Sequence, residues 1–287
     1  MAPRELVQAM YFPKGFSRPK AVQLADLVIQ AYEQLAAFQN DRPWNLRGPY
    51  ALITELRLAG GPGTSRLRLS HFYREIPLVA RSRKRPEKQL PIGFVARKGT
   101  EVFLVFRGTM TTLEWLRDLR IRLTDYPYLA CGKVHDGFVA VYEGLRRSIM
   151  DALAAAGGKG KLYVAGHSLG AALATLALPD IVSRTAYDEP IAYTYGSPRV
   201  GDNGFAEHFN SMMAHRSFRI ANTSDLVVSV PFSAPFLGFL GGYFTHVDTP
   251  VDFTVQKENA EDNHHINTYR AALAGARPKS LLGSLLK

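Results

Sequence analysis

The chain has 287 residues, 46% of them hydrophobic and 21% charged, the balance of a globular protein with material for a large core. No apolar run is long enough to span a bilayer, and the single cysteine, Cys131, excludes an intramolecular disulfide and any zinc site built on paired cysteines. The formal charge is +10, and all of the excess lies in the first 100 residues, where 17 Lys/Arg meet 7 Asp/Glu; the remainder carries 18 of each.

Residues 21–38, AVQLADLVIQAYEQLAAF, place apolar side chains at helical spacing. Residues 43–75 are mixed, with a turn at Gly60-Gly61-Pro62-Gly63. The densest basic run, 81–88, reads as a solvated loop or as a surface attracted to anionic lipid; no interleaved aromatics accompany it, so no nucleic-acid partner is expected. Two alternating runs, 91–97 and 101–108, flank Lys98-Gly99-Thr100 as a β-hairpin. Helices are predicted at 111–122 and 137–156, then a strand and a helix on either side of Ser168. Strands follow at 191–198 and 217–225, a phenylalanine-rich loop at 231–244, a late hairpin at 245–255, and a last helix at 266–275. Strands alternating with helices from about residue 90 imply an α/β fold with a mainly parallel sheet covered by helices. The simplest organisation is one domain, residues 1–287, with residues 1–90 as a helical, basic extension packed on it.

The stretch KLYVAGHSLGAALATLAL, 161–178, sets a serine between two glycines where a strand meets a helix. A serine hydroxyl is a weak nucleophile without a base. A sharp strand-to-helix turn lifts it clear of the sheet, and Gly166 and Gly170 remove the side chains that would clash there. An acid and then a histidine should follow. Asp225 closes a strand and is favoured; Asp202 reads as a turn residue, and Asp248 and Asp252, in the late hairpin, as solvent-facing. Three histidines come after Asp225. His246 falls in an alternating run and reads as structural, whereas His264 and His265 lie at a loop-to-helix junction. His167, inside the motif, reads as packing beside the turn. Oxyanion donors are expected from the N–H of Leu169 and from Thr109, which ends a strong apolar strand.

With these residues in view, the chain resembles the class 3 lipase family of α/β-hydrolases from about residue 90 to 272. VFLVFRGTMTTLEWLRDL is similar to the family's oxyanion segment and lid helix. GHSLG is similar to its nucleophile elbow, YTYGSPRVGDNGFA to a characteristic turn, and RIANTSDLVVSVP to the segment bearing the acid. The resemblance implies Ser168 as nucleophile, Asp225 as acid, Thr109 as oxyanion donor, and His264 as base, with Tyr269 five residues on and His265 as the alternative. It implies a serine carboxylester hydrolase, a triacylglycerol lipase first, with phospholipase A1 or a short-chain or feruloyl esterase as rivals. An inactive lipid- or partner-binding relative is the non-enzymatic rival. No metal or organic cofactor is implied. The partner is a lipid ester substrate, with peripheral contact to a lipid surface. The fungal members carry disulfides that this chain cannot form, and its lid-like segment is charged at Glu114, Arg117, Asp118, Arg120 and Arg122. The sequence opens without a basic region followed by an apolar one, so a cytoplasmic or peripheral location, or secretion without disulfides, is expected.

Overall fold

The computed structural model describes residues 10–58, 89–109, 122–231 and 244–275. The basic run 81–88, the helix expected over 111–122 save Arg122, the interior of the loop 231–244 and the tail from residue 278 lie outside the described residues.

Helix α1, Arg18–Gln39, is capped by Ser17, whose side chain accepts from Lys20 N–H, with Pro19 in the first turn. Its stripe of Ala21, Leu24, Ala25, Val28, Ala31 and Leu35 is fully buried. Strand β1, Ala51–Leu58, lies in the stretch that the sequence left as mixed. Only Leu56 and Leu58 on it are buried, so its alternation is weak at one end. Strands β2, Leu90–Lys98, and β3, Glu101–Phe106, form the expected hairpin.

A short ribbon, β4 Leu123–Asp125 with β5 Lys133–His135, leads into helix α2, Asp136–Ala155. Then come β6, Leu162–His167, and α3, Leu169–Arg184. Next are β7, Ile191–Tyr195, α4, Asn203–Met212, and β8, Ser217–Asn222. The chain continues with β9, Thr249–Phe253, α5, Ala260–His264, and α6, Ile266–Gly275. The main sheet runs β1-β2-β3-β6-β7-β8-β9, antiparallel as far as β3 and parallel from there on.

Both faces of this sheet are covered, and each central strand divides its side chains between them with period two. In β6, Leu162 and Val164 face the layer of α2, α3 and α4, while Tyr163 and Ala165 face α1 and α6. Helix α3 is buried on nearly every side from Leu169 to Ile181. Truncating one of its fully buried leucines, such as Leu173, costs about 2–5 kcal/mol.

The late segment departs from expectation. Residues 245–255 do not form a hairpin: Thr245 bridges Gly201, and β9 lies parallel to β8, Phe218 opposite Thr249 through Asn222 opposite Phe253. Val251 and Phe253 are thereby buried in the layer shared with α6, a burial that a solvent-exposed hairpin would forgo. Asp248, expected to face solvent, has an enclosed carboxylate Oδ1 instead, and burial raises its pKa to about 6. Asp252 is exposed, as expected.

Candidate active site

In an open parallel sheet, loops at the carboxyl ends of the strands converge on one edge. Thr109 follows β3, Ser168 follows β6, Asp225 follows β8, and His264 follows β9. All four are buried, none more than 3% exposed.

Ser168 alone makes the turn from β6 to α3, with φ 58° and ψ −127°. This is a region that residues with a side chain occupy only when neighbours hold them there. Ser168 N–H donates to Tyr195 carbonyl at 2.9 Å, and its own carbonyl accepts from Ala171 N–H at 2.9 Å. A Cβ on Gly166 would lie 2.1 Å from the Gly170 carbonyl oxygen, and one on Gly170 2.5 Å from that of Arg107. The two glycines are therefore required by close backbone approach. Leu169 is the first residue of α3, so its N–H belongs to the amides without an intrahelical acceptor. The segment Phe106-Arg107-Gly108 presses on this turn, and a Cβ on Gly108 would sit 2.6 Å from Ser168 Cβ.

Of the two histidines left open by the sequence, His264 meets the acid. Its Nδ1 lies 2.7 Å from Asp225 Oδ2. A carboxylate facing Nδ1 fixes the proton there and leaves Nε2 as the acceptor. His265 is exposed, and its Nδ1 accepts from Asn267 N–H at the start of α6. Asp225 is held by two further donors: Val227 N–H to Oδ1 at 2.8 Å and Tyr269 O–H to Oδ2 at 2.5 Å. Burial first, and then the Asp225 charge, hold the Tyr269 hydroxyl well above the ordinary tyrosine range, so it stays a donor. Asn222, fully buried at the end of β8, donates to the carbonyls of Val255 and Asn263 and so anchors the loop that carries His264.

The remaining candidates have structural partners. Asp202 caps α4 by accepting from Phe205 N–H at 2.9 Å. His246 lies outside any strand, and its Nε2 donates to Val228 carbonyl at 2.7 Å. Burial raises the Cys131 thiol to about 11. Among the described residues, no cluster of three His, Cys, Asp or Glu is placed to hold a metal ion.

Three buried polar atoms at this edge, Ser168 Oγ, His264 Nε2 and Thr109 Oγ1, have no hydrogen-bond partner among the described residues. Such atoms are rare in folded proteins, and each calls for a reason. One further contributor, Tyr269, stands in the sequence only as a spacing marker, because its bond to Asp225 joins residues 44 positions apart.

The family model for Lipase (class 3) matches residues 103–234, from β3 past the Ser168 turn to the segment after Asp225. The match spans a little under half of the chain and takes in both Ser168 and Asp225. Among curated relatives, a phospholipase A1-II 4 from Oryza sativa subsp. japonica is 31% identical over 219 residues, covering 65% of this chain and 54% of the relative. A lipase from Rhizomucor miehei is 34% identical over 155 residues, covering 51% and 42%. The chain thus spans about half the length of the curated relatives it matches. Lipase II from Rhizopus niveus superposes with a TM-score of 0.57 at 24% identity, over 79% of this chain and 78% of that one. The chain accordingly has the α/β-hydrolase fold.

Proposed function

We propose that the chain is a serine carboxylester hydrolase that works through an acyl-enzyme on Ser168, with lipid esters as substrates and triacylglycerol first among them. The observation that carries this reading is the meeting of the Asp225–His264 pair with partnerless Ser168 Oγ, His264 Nε2 and Thr109 Oγ1 at one edge of the sheet. Buried polar atoms kept unpaired are what a reacting ester would engage.

In the first half-reaction His264 Nε2 takes the proton of Ser168 Oγ, which attacks the ester carbonyl. The N–H of Leu169 and the hydroxyl of Thr109 stabilise the oxyanion as charge develops. Collapse of the tetrahedral species expels the alcohol, which receives the proton from His264. Water then attacks the acyl-serine, passing a proton to His264 Nε2; the bond to Ser168 Oγ breaks, Oγ takes that proton back, and the fatty acid leaves. Asp225 orients the imidazole and stabilises its charged form throughout.

Phospholipase A1 is the second reading. Several relatives bear that name, and the net charge of the first 100 residues favours an anionic surface. Hydrolysis of emulsified triacylglycerol, of anionic phospholipid vesicles and of nitrophenyl esters of two to eighteen carbons separates the readings, with Ser168→Ala as control. Release of fatty acid from triacylglycerol that vanishes in Ser168→Ala supports the first. Serine-dependent release confined to the sn-1 position of phospholipid supports the second. No serine-dependent hydrolysis of any of them overturns both.

A further inference from the structure

Tyr32 stands on α1, outside the residues that the family model matches. Its hydroxyl lies 2.9 Å from Gly108 N and 2.8 Å from His167 Nδ1. On the far side of that ring, His167 Nε2 lies 2.7 Å from the main-chain carbonyl oxygen of His264. Chemistry fixes the direction of each bond. A carbonyl oxygen only accepts, so the proton of His167 is on Nε2. Nδ1 is then a bare acceptor and Tyr32 O–H donates to it, while the Tyr32 oxygen accepts from Gly108 N–H. This needs a neutral imidazole, and burial, followed by the neighbouring His264, holds His167 well below the ordinary histidine range. The His167 ring also packs on the His264 ring, with centroids 4.5 Å apart.

A single directed run of hydrogen bonds therefore joins the residue before Thr109, the residue before Ser168 and the backbone of His264. We propose that Tyr32 is a positioning residue: its hydroxyl locks the Arg107–Gly108 peptide, and with it the adjoining Thr109, in register with Ser168 and His264, so that the oxyanion donors and the base are held as one unit. The proposal rests on the hydrolase reading above. It also assigns Gly108 N–H to Tyr32 rather than to the oxyanion, leaving Thr109 as the donor from this segment. The contact is close on every side, since a Cβ on Gly108 would come within 2.6 Å of both the Tyr32 oxygen and Ser168 Cβ. Direct hydrogen bonds at such spacing transmit a shift of one partner to the others.

The test is Tyr32→Phe, which keeps the ring and its edge-on contact with His167 and removes only the hydroxyl. Steady-state kinetics on a soluble ester are read beside the inhibition constant of an alkyl boronic acid, which becomes a tetrahedral anion on the serine and fills the oxyanion site. Expected are a fall in kcat of about 10- to 100-fold with KM within about twofold, and a loss of boronate affinity by the same factor as kcat/KM. The double variant Tyr32→Phe with His167→Gln should be no slower than the slower single variant, as expected for residues acting as a unit. A lower unfolding midpoint with kcat and boronate affinity unchanged overturns the proposal, as do effects that multiply in the double variant. Should His167→Gln fail to fold, Tyr32→Phe alone decides. A wild type that neither hydrolyses esters nor binds the boronate overturns the hydrolase reading and this proposal with it. An active wild type matched by Tyr32→Phe overturns the proposal alone.

Discussion

Gly196, just past the end of β7, has φ +55°, and a Cβ built on it would lie 3.0 Å from Asp225 Oδ2 and 3.0 Å from His264 Cε1. Gly196→Ala therefore adds one methyl at the joint of the acid–base pair. Two costs follow. The left-handed backbone disfavours a residue with a side chain by about 1–2 kcal/mol. Contacts between carbon atoms are comfortable near 3.5 Å, so the imidazole must retreat by about half an ångström or the loop must give. A misplacement of about 1 Å can cost about 100-fold in rate, which scales to about tenfold here. Urea unfolding and kcat/KM on a soluble ester, measured on the same preparation, should show both effects. A destabilised protein with kcat/KM within twofold of wild type would refute the reasoning, because the methyl would then crowd a pair that takes no part in the reaction.

Thr109→Val replaces a buried hydroxyl without a partner by a methyl of similar size, so stability should hold while kcat falls about 100- to 1,000-fold; equal loss in both would mean that the hydroxyl is structural. Tyr269→Phe removes one of three donors to Asp225 and should cost about 1.5–3 kcal/mol in urea unfolding, with kcat/KM down about tenfold; an unaltered kcat/KM would show that Asp225 is oriented without it. Burial first, then Arg219, lowers His246 to about 3, so the stability it contributes is present above its unfolded pKa near 6.5 and is lost as pH falls toward 3. Asp248, raised to about 6, acts in the opposite sense: its contribution is complete below its unfolded pKa near 3.8 and is lost as pH rises through 6. The two oppose each other between pH 6 and 4. His246→Gln keeps a donor for Val228 carbonyl and removes one titration, so its stability relative to wild type should rise by about 1.4 kcal/mol per pH unit on acidification across that window. Parallel urea curves for the two proteins at pH 6 and pH 4 would contradict the assignment.

The sequence marks most of what forms the sheet, because buried parallel strands such as Leu162–His167 are continuous apolar runs bounded by glycine. The Ser168 turn is legible for the same reason, with local chemistry on both sides. Strand β1 is not, since its first half is exposed and only Leu56 and Leu58 carry the alternation. The late segment misleads because Thr245 and Val251 belong to alternating positions that pair with different partners, Gly201 and Ile220, far away in the chain. His264 and His265 are adjacent, and in the sequence only the spacing to Tyr269 favours the first; the position of Asp225 across the sheet edge decides between them. Tyr32 and Tyr269 are invisible as site residues because their hydroxyl partners lie 76 to 135 and 44 positions away, respectively, and no periodicity records such a meeting.

The central claim, that Ser168 is a nucleophile activated by His264, is tested most directly by reacting the protein with an alkyl fluorophosphonate and mapping the adduct by peptide mass spectrometry. The account predicts one adduct per chain, on Ser168, formed far more slowly in His264→Ala and absent in Ser168→Ala. An adduct on another residue, or ester hydrolysis that persists undiminished in Ser168→Ala, would contradict it.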